Sequence, residues 1–236
     1  MEQLKLLHKV DADVWYSDSK ISLLHLAVIN IRMVVVKLDT GGLWLHSPIQ
    51  IDDQLFKEIN SLGKVEHIVA PNCFHHLFAS SAKARFPEAV LWAAPGLKQR
   101  KKDILFDAVI NDEVTDWGNT LEYEHIGGMP RMNEVVFLHK PSKTLICSDF
   151  IFNITEESNF LMKCLWKLAG TYKKFGQSRT WRFLVSNSFD EVYSVNKILK
   201  WDIVRIVMAH GEIKVCTNME LFEALNKGKT NFYSES

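Results

Sequence analysis

The amino-acid sequence predicts an α/β fold, an αββα sandwich of two mixed sheets with helices outside. Three observations carry this expectation. Short apolar strands open the chain, strand and helix patterns then alternate, and a second set begins with a strand pair at 134–147. The 236 residues suffice for one domain, 1–236, with a sizeable core.

Val14-Trp15-Tyr16 reads as a strand, Leu24 to Ile31 as a second, and Arg32 to Leu38 as a third, rich in β-branched residues. Asp39-Thr-Gly-Gly is a turn signal. Leu43 to Pro48 resumes an extended segment, so the start reads as an antiparallel meander. The pattern then changes period. Ile51, Leu55, Ile59 and Leu62 have helical spacing. Val65 to Ala70 is a strand, Phe74 to Phe86 a helix closed by Pro87, Val90 to Ala93 a strand, and Leu97 to Lys102 a short helix. In the second half, Leu121 to Ile126 and Glu134 to His139 read as strands. A turn at 140–143 leads to a strand at Thr144 to Cys147. Residues 153–182 read as helical or irregular, Phe189 to Trp201 as a helix, Val204 to Ala209 as a strand and Leu221 to Leu225 as a short helix.

Lys plus Arg equals Asp plus Glu, at 28 each. No global charge draws the chain to nucleic acid, and no nucleic-acid partner is expected. No apolar run reaches bilayer-spanning length, and Met1 to His8 lacks the apolar core of a signal peptide. The four cysteines, Cys73, Cys147, Cys164 and Cys216, form no CxxC pair. Free thiols and a cytoplasmic location are the expectation.

One grammar recurs three times: an apolar strand stops and a metal-capable residue follows. Val65–Ala70 leads to His75-His76, Thr144–Cys147 to Asp149, and Val204–Ala209 to His210. Strand ends are where a rigid scaffold presents functional side chains. Imidazole nitrogen and carboxylate oxygen are ligands that Zn²⁺ accepts, usually four at a time. Each residue also has an ordinary reading. A histidine after a strand is commonly a hydrogen-bonding residue, and an aspartate there commonly caps a helix.

With these residues in place, the chain resembles the metallo-β-lactamase superfamily over roughly Arg32 to Gly211. The strings LWLHSPI, APNCFHHLF and KTLICSDFIFN look like a branch of it with no agreed activity. The superfamily's main motif is His-x-His-x-Asp-His after a strand. Aligned to it, Pro71 and Cys73 stand at the first two histidines, His75 at the aspartate and His76 at the last histidine. The family's Gly-linked histidine falls at Met129 or Pro130, its bridging aspartate at Asp149 and its final histidine at His210.

The resemblance therefore implies one metal site lost and one retained. Proline has no ligating side chain and methionine is a poor zinc ligand. His75, His76, Asp149 and His210 can all ligate, so the expectation is one Zn²⁺ on these four. His75 is the catalytic candidate, because it replaces an aspartate that handles protons. His46 and Cys73 are candidates for orienting a ligand from behind, although Cys73 also reads as a small buried residue. His67 and His139 read as ordinary sheet residues.

Residues 153–182 interleave Phe160, Leu161, Leu165, Trp166, Leu168, Tyr172, Phe175, Trp181 and Phe183 with lysines and arginines. The first reading is an amphipathic helical pair whose apolar face covers the sandwich. The second is a lid beside the pocket, Trp166 or Trp181 inward, whose charge favours an anionic small-molecule substrate.

The function implied is metal-dependent hydrolysis of an ester, lactone, thioester or phosphodiester. The alternative is a non-catalytic binding or regulatory protein that kept the fold. An iron redox protein would need the fuller ligand set.

Overall fold

The computed structural model describes residues 6–23, 27–111, 117–157 and 159–227. The predicted strand at Leu24 to Ile31 thus lies partly outside the described residues. The chain divides into two compact units, one of residues 1–19 and 31–121, the other of 20–30 and 122–236.

The elements run in chain order: β1 (His8–Asp11), β2 (Val14–Leu23), β3 (Ala27–Lys37), β4 (Leu43–His46), α1 (Asp53–Leu62), β5 (Val65–Ala70), α2 (Ala79–Arg85), β6 (Val90–Ala93), α3 (Leu97–Arg100) and β7 (Ala108–Val109). They continue as β8 (Leu121–His125), β9 (Val135–His139), β10 (Thr144–Cys147), β11 (Phe152–Asn153), α4 (Phe160–Ala169), β12 (Phe175–Gly176), α5 (Arg179–Leu184), α6 (Ser188–Ile198), β13 (Arg205–Met208), β14 (Lys214–Val215) and α7 (Asn218–Asn226).

β1 to β7 form one sheet in sequential order. The pairs β1–β2 and β3–β4 are antiparallel, and β4, β5, β6 and β7 run parallel. The expected meander is present, with one difference. The segments predicted as separate strands on either side of Ile31 belong to the single strand β3. Arg32 does not break it because its guanidinium is satisfied in place. Nε and Nη2 donate to the two oxygens of Asp18 on β2, at 2.7 and 2.9 Å. The core of the first unit includes Val34, Leu45, Ile68 and Leu91. Trp117 meets the rings of Trp44 and Trp92 edge-on, with centroids 6.0 and 5.4 Å away.

The helix α1 begins two residues later than its apolar spacing predicts. Asp52 caps it by accepting the Leu55 N–H at 2.8 Å. The helix predicted from Phe74 shrinks more, to α2. Asn72 is fully buried, and its side-chain oxygen accepts the N–H groups of Phe74 and His75 at 2.8 and 2.7 Å. That local turn competes with helix formation over 71–78.

In the second unit, β14, β13, β10, β9 and β8 form a five-stranded sheet in that order. β10 pairs parallel with β13, with Cys147 opposite Met208. One contiguous core includes Met129, Phe150, Trp181, Val195, Ile206 and Leu221. Within 153–182, Met162 and Trp181 face inward, but Phe160, Leu168 and Phe183 are 80%, 72% and 85% exposed. The expected cover is therefore corrected for α4, whose apolar face is largely exposed, while α5 puts Trp181 into the core. Two buried anchors, Met162 and Trp181, hold the segment.

Trp181 is the main anchor. It is fully buried, meets Phe150 edge-on at 5.6 Å, and its Nε1–H donates to the buried Glu191 carboxylate at 2.9 Å. Trp181→Phe keeps most of the apolar volume and removes the donor, so it should cost about 1–3 kcal/mol. Trp181→Ala should cost about 3–5 kcal/mol. Urea unfolding of the three proteins checks both, and an unchanged midpoint for the phenylalanine variant would contradict the first value.

Candidate functional site

In the first unit, the chain leaves β5 at Ala70 and turns through Pro71 and Asn72. The Asn72 side chain fixes the backbone at His75, as described above. Ser47, just past β4, hydrogen-bonds His75 Nδ1 through its hydroxyl at 2.8 Å. Ligation by His75 would therefore fall to Nε2. Neither Asn72 nor Ser47 stands out in the sequence as a site residue. The one signal for Ser47 was its place directly after a strand, in LWLHSPI. It sits at a φ of 52°, a left-handed conformation uncommon for serine.

His46 ends β4, directly before Ser47. It is buried and stacks on Trp44 at 5.5 Å. Burial, with the nearby His75 adding to it, pushes its pKa down to about 3. Cys73 is buried as well, and burial raises its pKa, which favours the thiol over the thiolate a metal needs. His76 is half-buried. Its pKa is lowered first by burial and then by Lys101, with Asp103 acting in the opposite sense. His67 accepts the Trp92 indole N–H at 3.1 Å, and His139 hydrogen-bonds Ser142 at 2.7 Å; both are sheet residues with local partners.

In the second unit, strand register brings two predicted ligands together. Because β10 and β13 end side by side, Asp149 and His210 emerge from the same edge of the sheet. Asp149 Oδ1 lies 3.5 Å from His210 Nε2. His210 Nδ1–H donates to the Asn30 carbonyl at 2.7 Å. A carbonyl can only accept, so Nδ1 carries the proton, and in the neutral ring Nε2 presents its lone pair toward the carboxylate. Two acceptors facing each other at that distance suit a cation placed between them. A histidine that ligates a metal commonly donates its other ring N–H to a carbonyl in this way.

The surroundings fix both groups. Glu134, fully buried, accepts the backbone N–H of Ser148 at 2.7 Å and of Asp149 at 3.0 Å. His210 is 5% exposed, lies parallel to Phe152 at 5.9 Å and touches Trp166, tilted, at 5.9 Å. The segment 153–182 thus borders His210, with Trp166 inward and Lys167, Lys173 and Lys174 exposed. Gly211 takes a φ of 101°, and a Cβ there would collide with the Asn153 carbonyl oxygen, so only glycine fits after His210. Met129 is buried in the core of this unit, and Pro71 is buried in the first. Glu134 and Asn30 escaped sequence reasoning. Glu134 opens an apolar strand pattern, and Asn30 acts through its carbonyl, which any residue supplies.

Comparison with known proteins follows from this geometry. A family model described as a domain of unknown function (DUF4336) matches residues 11–174. The chain belongs to this family. No curated protein matches its sequence. Solved structures do match its fold. One is TMB-1, with a TM-score of 0.64, 13% identity, and coverage of 95% of this chain and 98% of that one. A metallo-β-lactamase from Pontibacter korlensis gives 0.63 and 13%, over 94% and 98%. The metallo-β-lactamase FIM-1 from Pseudomonas aeruginosa, solved in its mono-zinc form, gives 0.62 and 13%, over 92% and 91%. The DUF4336 chain therefore has the metallo-β-lactamase fold, as its strand-end motifs predict. All four cysteines are free, and among the described residues no helix is long and apolar enough to cross a membrane.

Two predictions follow for this DUF4336 protein. The folded protein binds fewer protons at His46 than the unfolded chain does between about pH 6.5 and about pH 3. Stability should be fully present above pH 6.5 and fall on acidification by up to about 1.4 kcal/mol per pH unit from this residue. His46→Gln should flatten that slope in urea titrations of metal-free protein. Separately, Glu134→Ala leaves two backbone N–H groups without this acceptor and should cost about 3 kcal/mol or more, since hydrogen bonds to a charged group contribute about 1.5–3 each. Chemical denaturation checks this, and a loss under 1 kcal/mol, within the error of a surface change, would contradict it.

Proposed function

We propose that this protein is a metal-dependent hydrolase with a single metal ion, held by Asp149, His210 and His75. The observation that carries the reading is the Asp149–His210 pair, whose facing acceptor atoms are 3.5 Å apart while the Asn30 carbonyl fixes the imidazole tautomer. His75 completes the set on two grounds. It follows a strand end like the other two, and Ser47 and Asn72 fix its ring and backbone. Lys101, Asp103 and His75 all act on His76, which is not among the three ligands proposed.

Three protein ligands instead of four leave one position open, which separates catalytic from structural zinc. A Zn²⁺ so held would supply an acidified water and polarise a carbonyl or phosphoryl oxygen. The protein's own contribution is orientation. Glu134 sets the Asp149 backbone, Asn30 the His210 ring and Ser47 the His75 ring. Phe152 and Trp166 keep water from one side of His210. The substrate class proposed is a small ester, lactone, thioester or phosphodiester.

A second reading has its own observation. His210 is almost wholly covered by Phe152 and Trp166, and proline and methionine stand at family ligand positions. A non-catalytic binding protein on the same fold would tolerate both. Metal analysis and turnover separate the two. Purified wild-type protein should carry about one zinc per chain. His210→Ala, Asp149→Asn and His75→Ala should each weaken metal binding by more than about 100-fold, while His76→Ala should keep it. Turnover on an ester, lactone, thioester and phosphodiester panel should follow metal content across the variants. Metal-free wild type after growth in ample zinc would end the proposal, and bound metal without turnover would favour the binding protein.

A further inference from the structure

A cavity lies in the second unit, lined by none of the proposed ligands. It encloses about 280 Å³ between the β12–α5 segment and the end of α7. The space sits near the lower end of small-molecule sites. Its charge is unlike that of the chain. Lys174, Arg179, Arg182 and Lys227 line it, and none of the described residues that line it is acidic. The whole chain balances 28 positive against 28 negative side chains, so four cations without a carboxylate is a local concentration of charge.

Two of the cations are held in place. Arg179 Nη1 donates to the Leu168 carbonyl at 3.4 Å, and Arg182 Nη2 donates to the Lys227 carbonyl at 3.1 Å. Carbonyls carry no net charge, so each guanidinium keeps its full positive charge and further N–H donors for a ligand. The cavity also contains Gln177. Its amide nitrogen and oxygen are both buried and have no hydrogen-bond partner among the described residues. A buried amide without partners is costly, so a ligand that satisfies both atoms gains that advantage.

These features specify a ligand. Four cations call for a multiply charged anion, and planar arginines match phosphate oxygens better than a single charge. The Gln177 nitrogen requires an acceptor and its oxygen a donor. Phe175 and Leu225 add apolar wall on either side. We propose that this cavity is a binding site for a small phosphomonoester that carries a hydroxyl group. Its phosphate sits among the two arginines and two lysines, and the Gln177 amide bonds the hydroxyl-bearing end. None of the residues used here belongs to the proposed metal set, so the two ideas stand or fall separately.

Isothermal titration and thermal denaturation with glycerol 3-phosphate, inorganic phosphate and glycerol test this, at constant ionic strength. Glycerol 3-phosphate should bind saturably and raise the melting temperature, inorganic phosphate should bind more weakly, and glycerol should not bind. Arg179→Gln should weaken glycerol 3-phosphate about 10- to 100-fold, the value of one charge-assisted hydrogen bond. Gln177→Met should remove the advantage of glycerol 3-phosphate over phosphate. Should Arg179→Gln fail to fold, the double variant Lys174→Gln/Lys227→Gln, which alters two exposed lysines, gives the same test with a smaller loss. Binding should also fall as sodium chloride rises. No saturable binding of either phosphate, equal affinity for both, or affinity unchanged in the charge variants would overturn the proposal.

Discussion

The buried carboxylate of Glu134 is the constraint on which the rest of the candidate site depends. It stands at the entry to β9, inside the sheet of the second unit, where an unpaired charge would be costly. It is retained because two backbone N–H groups, those of Ser148 and Asp149, converge on it where β10 ends. Those amides lie past the last ladder pair and would otherwise lack this acceptor in a dry environment. One charge thus satisfies two donors and fixes the turn that presents Asp149. The parallel pairing of β10 with β13 then sets His210 beside it.

The same logic of local satisfaction runs through the molecule. Arg32 continues β3 because Asp18 meets it, Asn72 shapes the approach to His75, and Asn30 sets the tautomer of His210. Each is a polar group whose partner is far along the chain or acts through its backbone. They hold the Arg32 guanidinium, the His75 backbone and the His210 ring in place. The cationic cavity is the opposite case. There, among the described residues, Gln177 keeps both amide atoms without a partner and four positive charges gather without a carboxylate, which is why it reads as a place for a ligand and not as a structural network.

The segment after Asp149 shows how a sequence pattern can be sound and its orientation wrong. The helical spacing of α4 is real, and Asn159 and Gly170 cap its ends. Periodicity states that one face is apolar, not which way that face points. Here Met162 and Trp166 are enough to hold the helix, because Trp166 packs on His210 and Phe152. The broader apolar face, with Phe160 and Leu168, remains exposed.

By itself the sequence determined the fold class, most of the strands, and the three strand ends where metal-capable residues follow. Those features are local. Alternating β-branched runs and turn residues act over a few positions, and a strand end is visible wherever such a run meets a polar residue. Only the tertiary structure decided that Asp149 and His210 are neighbours, since that depends on the register of two strands about sixty residues apart. It also decided that Ser47 holds His75, that Asn72 shortens α2, and that Glu134 and the Asn30 carbonyl support the Asp149–His210 pair. Most of these contacts join atoms distant in sequence, and those of Asn72, Glu134 and Asn30 run through backbone groups that almost every residue carries, so no side-chain pattern could announce them.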